Sequence, residues 1–134
     1  MLMQRGHFKA ARAHYQSVDL QSRIEGASPH QLVQIMFEEL LKALDAMTVA
    51  ARRRDFGQRG ERQSRALSIL DGLETSLDFD KGGEIARGLA GIYREARRLV
   101  ILGARDNDAD KIVRARAMIG EVASAWGAIG QSRS

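Results

Sequence analysis

The chain of 134 residues is 44% apolar and 28% charged, the length and balance of one globular domain rather than of a disordered segment. It contains no cysteine, which excludes a disulfide scaffold and a thiolate metal site and points to a reducing cytoplasm, and no apolar run is long enough for membrane insertion. The formal net charge of +4 arises in residues 1–65, where 11 Lys/Arg face 7 Asp/Glu; so modest an excess fits solubility better than nucleic-acid binding.

Residues 1–27 read as an N-terminal arm, partly helical, with Tyr15, Val18, Leu20 and Ile24 as its apolar side chains. Ser28-Pro29-His30-Gln31 then predicts a helix start. The Ser28 hydroxyl accepts from a free amide, Pro29 suits the first helical position, and Gln31 completes a capping box.

Four segments follow in which apolar residues recur at alternating spacings of three and four. They are Val33, Phe37, Leu40, Leu44, Met47 and Ala51; then Ala66, Leu70, Leu73 and Leu77; then Ile85, Leu89, Ile92, Ala96 and Leu99; and finally Ile112, Ala115, Ile119, Val122, Trp126 and Ile129. The spacing predicts helices over roughly 29–54, 61–78, 83–104 and 109–129. Gly57 with Gly60, Gly82 with Gly83, and Asn107 with Asp108 are the expected breaks, and residues 130–134 the expected flexible tail. Connectors this short force neighbours to run antiparallel. The expected fold is therefore all-α, an up-down-up-down four-helix bundle with an N-terminal arm or short helix, in a single domain 1–134. Arg52, Arg53 and Arg54 close the first helix, where cations favour the negative end of the helix dipole.

Catalysis gets little support. His7, His14 and His30 all lie before or at the first helix, with no acidic residue placed to complete a metal set. No Glu-x-x-His and no glycine-rich nucleotide loop occurs, and Ser28 beside His30 is explained by capping. The expectation is no catalytic residue, no metal and no cofactor. The informative feature is surplus apolar surface. Leu32, Ile35, Met36 and Leu41 on the first helix, Leu67 and Ile69 on the second, and Tyr93, Val100, Ile101 and Leu102 on the third lie off the seams. They either widen the core or form a patch that calls for a partner. Glycines inside the helices, among them Gly72, Gly88, Gly91, Gly103 and Gly120, fit close helix approach or a bundle that flexes.

Several stretches together resemble the flagellin export chaperone family, FliS. Ile24-Glu25-Gly26-Ala27-Ser28-Pro29 looks like the family's entry into its first long helix, and Tyr15 stands nine residues before Ile24, where members often carry a tyrosine. Ser76-Leu77-Asp78 through Gly82-Gly83-Glu84-Ile85 resembles the second connection. Arg97-Arg98-Leu99, Asn107-Asp108 and Ala125-Trp126 match in order and spacing. The family tends to place aromatics five and three positions before the Arg-Arg pair; here those positions hold Ile92 and Arg94, with Tyr93 between them.

The resemblance implies a cytoplasmic, non-enzymatic chaperone that binds the disordered C-terminal segment of flagellin and prevents its premature polymerisation. It implies delivery to the flagellar type III export apparatus, and for some members contact with an anti-sigma factor; nucleic acid is not an implied partner. An apolar groove suits an amphipathic client of this kind. The expected client contacts are Tyr15 and Ile24 on the arm and Ile69, Leu73, Ile85, Leu89, Ile92, Tyr93 and Leu99 along one side of the second and third helices. A helical adaptor with a different client is the alternative.

Overall fold

The computed structural model describes residues 19–132. The chain divides between Leu32 and Val33 into two units. In the first, residues 19–25 are helical, and the capping box forms as expected: the Gln31 amide donates to Ser28 Oγ at 3.1 Å while the Ser28 amide donates to Gln31 Oε1 at 2.9 Å. That box starts helix α1, Pro29–Arg52, which continues into the second unit. Helices α2, Phe56–Thr75, α3, Phe79–Asp106, and α4, Ala109–Ser132, follow. No strand occurs among the described residues.

The connectors are shorter than the glycines suggested, because aspartate caps set the boundaries. Asp55 accepts from the Gln58 amide at 3.2 Å and starts α2 directly after the turn, so Gly57 and Gly60 lie inside the helix instead of breaking it. Asp78 accepts from the amides of Asp80 and Lys81 and starts α3. Gly83, at φ +52° and ψ −126°, interrupts α3 after one turn, so the expected break there is a kink. Asp108 accepts from the Asp110 amide at the head of α4, and α4 continues through the expected tail to Ser132.

Side-chain contacts give the helix directions. Arg65 pairs with Glu39 at 3.5 Å, and Met36 Cε would lie 3.0 Å from a Cβ at Gly72, so α1 and α2 run antiparallel. Glu74 faces Arg94 and Arg97, and Asp71 faces Arg97, which sets α2 against α3. Asp45 accepts from Arg116 Nε at 3.1 Å and Gln34 lies against Gly127, which sets α1 against α4. Across the bundle, α1 and α3 run parallel. The Phe37 and Tyr93 ring centroids are 6.4 Å apart near one end, and Asn107 Nδ2 donates to the Ala51 carbonyl at 3.1 Å at the other. The up-down-up-down order follows.

The core is drawn from all four helices and centres on Phe37, Leu40, Leu44, Leu70, Leu99 and Ile112, each at most 1% exposed. Of the surplus apolar residues, Ile35, Tyr93 and Val100 are buried and widen it, Met36, Leu41, Leu67, Ile69 and Leu102 are half-buried, and Ile101 is exposed.

The glycines separate into two groups. A Cβ at Gly103 would lie 2.9 Å from Ile112 Cγ1 and 3.1 Å from the Asp108 carbonyl, so glycine lets α3 approach the start of α4. Gly88 and Gly91 face open space. Gly88→Ala and Gly91→Ala should each raise stability by about 0.5–1 kcal/mol in chemical denaturation, by removing unfolded-chain entropy. Gly103→Ala should lower it by about 1–3 kcal/mol through overpacking.

Candidate functional site

Each helix in the bundle has two edges, and its partners say which neighbour each edge meets. On α3, Arg94 and Arg97 reach the carboxylates of α2, so they mark the α2 edge. Gly103 meets Ile112 and marks the α4 edge. At about 100° per residue, Ile92 and Ile85 fall beneath Gly103 after about three and about five turns. Leu89 lies beside them, between that edge and the core. On α4, Arg116 and Gly127 mark the α1 edge. Met118, Val122 and Ile129, spaced four and seven residues apart, fall on the opposite side, toward α3.

An apolar furrow between α3 and α4 results. Its walls are Leu89 and Ile92 on one side and Met118, Val122 and Trp126 on the other, all half-buried and packed against the core. Its open end carries Ile85, 77% exposed, and Ile129, 48% exposed. Trp126 was expected on the fourth seam; its ring lies edge-on to Phe37 with centroids 6.3 Å apart, and one flank remains accessible. Further along, the furrow becomes charged. Arg98 donates to Glu95 at 2.9 and 2.6 Å and holds that carboxyl below its usual range; burial opposes the shift and Arg114 of α4 adds to it.

The residues expected to meet a client do not share one surface. Tyr15 lies outside the described residues, and Ile24 is exposed in the first unit. Leu73, Tyr93 and Leu99, at 1%, 2% and 1% exposed, are core residues and present no surface for docking. Ile69 shares an edge of α2 with Arg65 and Gly72 and so faces α1. Only Ile85, Leu89 and Ile92 lie together, and they face α4 rather than α2. Met118, Val122, Trp126 and Ile129 complete their surface. Periodicity placed three of those four on a core seam, because it shows which residues share a helix face but not which neighbour that face meets. Among the described residues, no group of three or more His, Cys, Asp or Glu side chains is arranged to hold a metal ion, and no helix is long and apolar enough to cross a membrane.

The sequence pattern of the family described as flagellar protein FliS matches residues 11–133. The flagellar secretion chaperone FliS of Salmonella typhimurium is 34% identical over 113 residues, covering 84% of each chain. The flagellar secretion chaperone FliSB of Pseudomonas aeruginosa is 29% identical over 119 residues, covering 89% of this chain and 94% of its own. The FliS of Vibrio cholerae is 29% identical over 112 residues, covering 84% of this chain and 82% of its own.

Tyr93 offers a direct probe of the core beneath the furrow. Burial pushes its phenol from 10.0 up to about 12. The unfolded chain ionises first, so stability is full below the unfolded value of 10.0 and falls as pH rises through the folded value of about 12. In a Tyr15→Phe background, tyrosinate absorbance should appear only near that upper value. Tyr93→Phe should remove this part of the alkaline loss of stability.

Proposed function

The chain belongs to the flagellar protein FliS family, a family of flagellar secretion chaperones, and from that premise we propose that it holds the C-terminal segment of flagellin in the α3–α4 furrow. The observation that carries this reading is the pair of half-buried apolar walls opening onto Ile85, the most exposed large apolar side chain among the described residues. Such a surface suits one face of an amphipathic segment, with client side chains at spacings of three and four residues entering the furrow. Binding of this kind buries apolar area on both partners. It also orders the client, so many contacts are needed to offset the lost conformational freedom.

On this reading Ile85, Leu89, Ile92, Val122, Trp126 and Ile129 touch the client, and Tyr93 and Leu99 support the furrow from beneath. Sequestration keeps the apolar strip of flagellin from associating with other flagellin molecules. The held, unfolded-like client is then in a form the export apparatus can take from the cytoplasm. The role is binding and not catalysis.

Calorimetry with a C-terminal flagellin segment from the same organism should give one-to-one binding with a negative heat-capacity change. Ile85→Asp should weaken it about ten-fold or more, which is about 1.4 kcal/mol, without changing the fold, because the side chain is already exposed. Val49→Asp, at an exposed position on α1, should leave affinity unchanged. Undetectable binding, or equal weakening by both variants, would contradict the reading.

A further inference from the structure

The α1–α2 turn is a second surface with its own chemistry, at the other end of α3 from Ile85. The C-terminus of α1 closes with the Arg54 amide donating to the Ala51 carbonyl at 3.1 Å and the Asp55 amide to the Ala50 carbonyl at 2.9 Å. This closure puts Arg54 at φ +57°, where glycine is favoured and a long side chain is not. The Arg54 guanidinium lies 5.3 Å from the centroid of the Phe56 ring, and that of Arg59 lies 4.8 Å from the same centroid. Arg59 is fixed in turn by donating to Asn107 Oδ1 at 2.8 Å. An exposed aromatic ring is thereby in contact with two guanidiniums, one of them anchored to the bundle.

Among the described residues the cations around it lack carboxylate partners, as Lys81, Arg87 and Arg114 do elsewhere on the bundle. Arg94, Arg97, Arg98, Arg105 and Arg116 each have a carboxylate within 4 Å. Arg52, Arg53, Arg54 and Arg62 have no carboxylate partner among the described residues. Asp55 is occupied in capping, and Glu61 is the other acid in the segment 52–62. A merely solvated face would not need an arginine at a left-handed position, nor an exposed phenylalanine in contact with two guanidiniums.

We propose that the α1–α2 turn docks an acidic segment of a partner protein, with carboxylates taken by Arg52, Arg53, Arg54 and Arg62 and an apolar side chain resting on Phe56. Guanidinium forks match carboxylates in pairs, and a ring in contact with cations accepts an apolar neighbour of those carboxylates. The patch is a single turn, too short to track a polyanion. A peptide segment fits this limit better than a nucleic acid or a lipid surface. Because α3 runs on for 21 residues, or about 32 Å, from Ile85 at the mouth of the furrow to Asp106 beside this turn, the two surfaces do not compete.

Fluorescence anisotropy of the full chain with a fluorescein-labelled peptide of repeated Glu-Glu-Leu tests the proposal. The peptide should bind and be released by added salt. Combined Arg52→Glu, Arg53→Glu and Arg62→Glu should weaken it about ten-fold or more. Arg54→Gly should weaken it several-fold while leaving thermal stability equal or higher, a combination that a structural role for Arg54 does not give. Absence of peptide binding, unchanged affinity in these variants, or tighter binding to phosphatidylserine vesicles or single-stranded DNA than to the peptide would overturn it. None of these outcomes depends on whether flagellin occupies the furrow.

Discussion

The bundle is organised around the ring of Phe37. This side chain is fully buried on α1 and meets Tyr93 of α3 at 6.4 Å and Trp126 of α4 at 6.3 Å between centroids. Three helices are thereby held at one point, and rings of this size carry much of the apolar area such a core can bury. At the far end, Asn107 does the same with hydrogen bonds, donating to the Ala51 carbonyl and accepting from Arg59. Phe37 to Tyr93 and Ala51 to Asn107 span the same number of residues, so the two junctions fix one register of α1 along α3. With that register set, the edges of α3 and α4 left over form the furrow.

Much of the fold is legible in the residues themselves, and the reason is physical. The spacing of Phe37, Leu40 and Leu44, and that of Ile112, Ala115 and Ile119, imposes a helix with one buried face, whatever that face packs on. Ser28 with Gln31 is a local capping signal and reads true. Gly57 and Gly60 mislead, since each costs about 1 kcal/mol in a helix but does not outweigh a well-placed aspartate cap and the contacts of the helix it starts. The cap at Asp55 has the same local character as the one at Ser28, and the glycines beside it obscure it.

The candidate site is less legible, because it depends on azimuth and partner identity. Ile69 and Ile92 look alike in sequence, yet one faces α1 and the other α4. Tyr93 and Leu99 carry the apolar chemistry expected of a client surface and are instead the floor beneath it. Trp126 and Val122 lie on an apparent core seam and remain half-accessible, since the α3–α4 furrow is incompletely filled. The bundle keeps enough large side chains inside to fold and leaves a shallow apolar strip at one seam, where the proposed function seats the client.

The location of the client is tested most directly by site-specific photocrosslinking. Benzoylphenylalanine is placed at position 85 in one variant and at position 69 in another, and each is irradiated with the C-terminal segment of flagellin. Occupation of the α3–α4 furrow predicts a covalent adduct from position 85 and none from position 69. An adduct from position 69 with none from position 85 would place the client on the α1–α2 side and contradict the account.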